Sequence, residues 1–105
     1  MEEREYQGLA DAALNRIEAR LEQTTADVDC ERAGGGILEI EFENGSKIVI
    51  NKQAAVQEIW VAARSGGFHY RWDGSRWLDT RSGEELFAAL SRLASEQAGE
   101  PVSLD

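Results

Sequence analysis

Carboxylates dominate the side chains of this sequence that could do chemistry. Asp11, Glu18 and Glu22 are separated by seven and four residues, a spacing that stacks them on one helix face, with Glu3 earlier in the same segment. Asp27, Asp29 and Glu31 follow at alternate positions, the spacing of one side of a strand. If helix and strand lie side by side at an edge, these seven residues form an acidic ridge. Crowded like charges repel, so such a ridge either keeps the protein soluble or receives something positive. Carboxylate oxygens without His or Cys suit hard cations such as Fe³⁺, Ca²⁺, Mg²⁺ or Mn²⁺ rather than zinc or copper. No EF-hand loop and no Glu-x-x-His pair accompanies them, so the expected site is open, shallow and weak.

A second cluster is less charged: Asn51, Gln53, Trp60 and His69. Trp60 is either a core aromatic or, if strand register turns it outward, an interface anchor among amides, since Trp is enriched at binding hot spots. His69 alternates with Phe68, Tyr70 and Trp72 and should face solvent. Cys30 alternates with acids and reads as a buried structural thiol rather than a nucleophile. With one His, one Cys and no phosphate-binding glycine loop, no nucleophile–base pair can be drawn, so no enzymatic activity is expected.

Charge is divided unevenly. Residues 1–43 carry twelve Asp/Glu against four Lys/Arg, and residues 44–105 carry eight against seven. The net charge of −9 therefore sits almost wholly in the first part of the chain. That field disfavours nucleic acid and anionic membranes and favours a basic partner. The start, Met1-Glu2-Glu3-Arg4-Glu5, resembles neither a signal nor a transit peptide. No apolar run approaches the ~20 residues of a membrane span. A cytoplasmic chain of 105 residues, folding as one domain over 1–105, is the expectation.

The elements that must hold these groups are legible from periodicity. Tyr6, Leu9, Ala10, Ala13, Leu14, Ile17 and Leu21 recur at spacings of three and four, which predicts an amphipathic helix over 4–22. A strand over 27–31 follows, then a hairpin, Ile37–Glu43 with Lys47–Asn51, whose Asn44-Gly45 pair predicts a type I′ turn. Ile59–Ala62, Phe68–Trp72 and Arg76–Leu78 read as further strands. Ser82 and Glu85 predict a capping box for a second helix burying Leu86, Phe87, Leu90, Leu93 and Ala94, ended by Gly99. Helices only at the ends of a run of strands imply an α+β fold, a two-layer α-β sandwich with two terminal helices on one face of an antiparallel sheet.

Three linked segments carry a more specific signal: Phe42-Glu43-Asn44-Gly45-Ser46-Lys47-Ile48-Val49-Ile50-Asn51-Lys52-Gln53, Ile59-Trp60-Val61-Ala62-Ala63, and Gly66-Gly67-Phe68-His69-Tyr70. Together they resemble the frataxin family, in its bacterial branch, over essentially the whole chain. The resemblance implies the same α-β sandwich, iron (Fe²⁺/Fe³⁺) held weakly along the acidic ridge, and a role in iron–sulfur cluster assembly. It also implies contact with a cysteine desulfurase and a scaffold protein, by a chain that is a monomer or oligomerises with iron. By position, Asp11, Glu18, Glu22, Asp27, Asp29 and Glu31 are the implied ridge, and Asn51, Gln53 and Trp60 the implied partner contacts. Ala19 and Gln23 stand where the family often carries second acids, and Gln7 where some bacterial members have histidine.

Overall fold

The computed structural model describes all 105 residues. Helix α1, Glu3–Gln23, buries Tyr6, Ala10, Ala13, Leu14, Ile17 and Leu21, with Leu9 half-buried beside them. Six strands follow: β1 (Val28–Ala33), β2 (Ile37–Phe42), β3 (Lys47–Gln53), β4 (Glu58–Ala63), β5 (Gly66–Trp72) and β6 (Trp77–Asp79). Helix α2, Leu86–Ala98, comes last. The strands pair antiparallel in strict sequence order, β1 to β6. Alternation then decides the faces. Leu38, Ile40, Phe42, Ile48, Ile50, Ile59, Val61, Tyr70 and Trp77 join the helices in one core, and the intervening residues face away. This is the two-layer α+β arrangement expected from the sequence.

Two local expectations are corrected. A type I′ turn needs positive φ at both central residues, but only Gly45, at 85°, has it. The Gly45 N–H donates to Phe42 O and the Phe42 N–H to Ser46 O, both at 2.9 Å, closing a three-residue loop in which Gly45 supplies the left-handed step. Asn44 serves another purpose: its Nδ2 donates to Gln97 O at 2.6 Å, tying this loop to the end of α2. The capping box is not formed either. Glu85 is itself the N-cap of α2, its carboxylate accepting from the Phe87 and Ala88 N–H groups. Gly83, at φ 77°, turns the chain between Ser82 and Glu85, and Glu85 is still bridged to Leu78 of the sheet, so Ser82 cannot reach the helix.

The last residues add core that periodicity could not show. Val102 and Leu104 are buried, and the Val102 and Leu104 N–H groups donate to Ser95 Oγ and Ser91 Oγ, both at 2.8 Å. Tyr6 closes the opposite end, its hydroxyl donating to Glu58 O at 2.7 Å.

Candidate functional site

The acids of the expected ridge do not share one surface: those of α1 and those around β1 lie on opposite sides of the sheet. On α1, Glu18 and Glu22 lie beside the edge strand β1, whereas Asp11 meets Lys52 of β3, and Asp11 and Glu18 are already engaged. Lys52 Nζ donates to Asp11 Oδ1 at 2.5 Å and to Gln7 Oε1 at 2.7 Å. Its stem crosses Gly36, where φ is 79° and a Cβ would collide with the Lys52 side chain. Arg32 Nη1 donates to Glu18 Oε1 and Asn15 Oδ1, each at 3.1 Å. Glu22 has no ion-pair partner; it lines a shallow depression of about 180 Å³ with Glu18, Leu21, Val28, Asp29 and Cys30. Burial first, then the Glu18 charge, pushes the Cys30 thiol up to about 11, which keeps it protonated and unreactive at neutral pH. Glu3 stands apart: nineteen residues before Glu22 on the same helix, it lies roughly 28 Å away.

The strand acids point the other way. Val28 and Cys30 pack toward the helices, so Asp29 and Glu31 project from the outer face, and Asp27 is exposed just before β1. Register places Asp29 opposite Glu41 and Glu31 opposite Glu39. Like charges directly opposite destabilise a sheet, and one cation relieves this strip: Lys47 Nζ sits 3.0 Å from Glu39 Oε1. Asp27, Asp29, Glu31 and Glu41 have no ion-pair partner. Glu39 and Glu41 were legible as hairpin acids; their place beside Asp29 and Glu31 depended on the β1–β2 register. No three His, Cys, Asp or Glu side chains converge closely enough to enclose a metal ion.

The uncharged cluster assembles on this same outer face. Asn51, Trp60 and His69 form one row across β3, β4 and β5, and Gln53, Glu58 and Arg71 form the next. Trp60 is therefore not core. Its ring stacks on His69 at 4.2 Å and 8°, and Gln53 Nε2 donates to Asn51 Oδ1 at 2.6 Å. His69 is exposed, as its alternation predicts. Beneath them lies Glu58, which the sequence reading passed over. It is 5% exposed, and its carboxylate accepts from Trp60 Nε1 at 2.8 Å and Arg71 Nη2 at 2.5 Å. Burial pushes Glu58 up, but the bonds from Trp60 and Arg71 outweigh it and hold the carboxyl below the usual range. The signal was present: Glu58 is two residues from Trp60 in a strand, hence on the same face.

A central aromatic and amide patch with an acidic strip on one margin thus lies on the outer face of a β1–β6 meander whose other face is covered by two helices. The family model for the frataxin-like domain matches residues 1–100, and the chain belongs to that family. It is 56% identical to the iron-sulfur cluster assembly protein CyaY of Dechloromonas aromatica, over 99% of each chain. It is 55% identical to the CyaY of Cupriavidus taiwanensis, over 98% of this chain and 96% of that one. Among solved structures it superposes on the frataxin from Psychromonas ingrahamii with a TM-score of 0.92 and 36% identity, covering 100% of this chain and 99% of that one. A trimeric yeast frataxin complexed with ferrous iron shares the fold at a TM-score of 0.68 and 24% identity, over 95% of this chain and 88% of the yeast chain. No helix is long and apolar enough to cross a membrane.

Proposed function

We propose that this chain acts in iron–sulfur cluster assembly, as an iron-binding regulator of, or iron donor to, a cysteine desulfurase–scaffold complex in the cytoplasm. The full-length relatives that carry the assembly name support the process. The observation that carries the mode of action is the shared outer face. Trp60 on β4 lies three strand spacings, about 14 Å, from the acidic edge strand β1, so one partner of ordinary interface size would cover both. Unpaired Asp29, Glu31 and Glu41 draw in a basic surface, and Trp60 with Asn51 and Gln53 supplies the uncharged centre. The chain contributes docking and iron rather than catalysis of its own.

Iron would be held by exposed carboxylates at several overlapping positions, Glu22, Asp27, Asp29 and Glu31 foremost. Asp11 and Glu18 would have to exchange Lys52 and Arg32 for the metal. Those two ion pairs favour a second reading, in which the acids serve docking and iron binding is incidental. Replacing Glu18 and Glu22 with Gln separates the two. The fold is expected to survive, because a half-exposed pair such as Glu18–Arg32 contributes only about 0–1 kcal/mol. An anaerobic Fe²⁺ titration should show weakened binding, and a cluster-assembly assay with purified desulfurase and scaffold should lose its iron-dependent response. Unchanged iron affinity would remove α1 from the site; weakened iron binding with an unchanged assembly response would establish docking alone.

A further inference from the structure

We propose that Glu58 is the positioning residue of the outer face, fixing Trp60 and Arg71 in the arrangement a partner meets. The inference rests on the reading of that face as a contact surface. A carboxylate buried to this degree is costly to desolvate, so the ion pair by itself is weak support for the fold. Here the groups it holds are themselves outward. Arg71 keeps 64% of its side-chain surface exposed, and Trp60 is half-buried. Free of Glu58, both would find solvent partners and several rotamers. Bound to it, each is restricted from below: Trp60 by its indole N–H and by the His69 ring, Arg71 by one guanidinium nitrogen. His69 Nδ1, 3.8 Å from Glu58 Oε1, completes a set of three side chains around one carboxylate.

The arrangement also defines what the surface offers. The indole donor is taken, so a partner meets the carbon edge of Trp60 rather than its N–H. Arg71 has further N–H groups free for a carbonyl or carboxylate. The matching surface is therefore an apolar patch with an acceptor beside it. Ordering Trp60 and Arg71 before contact lowers the entropy lost on binding, which is where the effect on affinity arises.

The substitutions Glu58→Ala and Glu58→Gln leave the Tyr6–Glu58 hydrogen bond in place, because Tyr6 uses the backbone carbonyl. In ¹⁵N spectra, with Trp60→Phe to assign the indole signal, slow exchange of the Trp60 indole N–H is expected in the parent protein and in Glu58→Gln, whose amide oxygen can still accept. It should be lost in Glu58→Ala. Affinity for the desulfurase–scaffold complex should fall about tenfold in Glu58→Ala, through the lost ordering of Trp60 and Arg71. Adding Glu58→Ala to Trp60→Ala should cost less than Glu58→Ala does in the parent protein, because Glu58 acts in part through Trp60 and only its hold on Arg71 remains to be lost. Unchanged indole protection in Glu58→Ala, or penalties that add in the double variant, would overturn the proposal. A Trp60→Ala variant that binds as tightly as the parent, with protection still lost in Glu58→Ala, would instead refute the contact reading and leave the clamp standing.

Discussion

Trp77→Ala is expected to cost about 3–5 kcal/mol, the usual loss when a buried aromatic leaves a cavity. Trp77 is 3% exposed, meets Tyr6 edge-on at 6.2 Å and Trp72 at 5.5 Å, and so joins α1 to the far edge of the sheet. In a domain of this size each kcal/mol shifts the melting temperature by roughly 4–8 °C, so the drop should exceed about 10 °C. Trp60→Ala is expected to lose a hydrogen bond and a stacking contact, on the order of 1 kcal/mol, since no core cavity opens. The pair of melting curves separates two tryptophans that look alike in the sequence. Comparable losses would place Trp60 within the core packing and withdraw it from any interface.

Reversing the strand acids should separate folding from function most sharply. In the double variant Asp29→Lys, Glu31→Lys, two like-charge pairs across β1 and β2 become opposite-charge pairs with Glu41 and Glu39. Each exchange should favour the sheet by about 0.2–1 kcal/mol. The same change inverts the part of the outer face proposed to attract a basic partner. Binding to the desulfurase complex should be abolished while the melting temperature holds or rises. In the parent protein the affinity should fall with added salt, as exposed charges are screened over about 8 Å at physiological ionic strength. Tight, salt-independent binding by the reversed variant would exclude the acidic strip as a docking surface.

Much of this was legible from residue order because period and charge are local. The stripe of α1 and the places of the six strands follow from spacings of three, four and two. The frataxin resemblance rested on residues 42–70, which proved to be the sheet centre that builds the outer face. What was not legible depended on register and on long side chains. Asp11 looked free until Lys52, 41 residues later, was seen to reach it across Gly36. Asp29 and Glu31 looked continuous with Glu18 and Glu22, yet the strand's own alternation sends them to the opposite side. Asn44-Gly45 carried a strong turn signal, but the loop that forms has one left-handed residue rather than two, and Asn44 bonds to Gln97, 53 residues away.

A sheet whose strands pair in strict chain order has a kinetic consequence. Every pairing from β1 to β6 joins neighbours in sequence, so the whole sheet can form by closing short loops, each at small entropic cost. The long closures lie at the helices: Tyr6 to Glu58, for example, spans 52 residues and Asn44 to Gln97 spans 53. We expect these to form after the rate-limiting barrier, with the meander largely assembled before the helices lock onto it. Tyr6→Phe should then speed unfolding and leave the refolding rate nearly unchanged in stopped-flow experiments. A variant that refolds more slowly in proportion to its lost stability would place α1 in the nucleus instead.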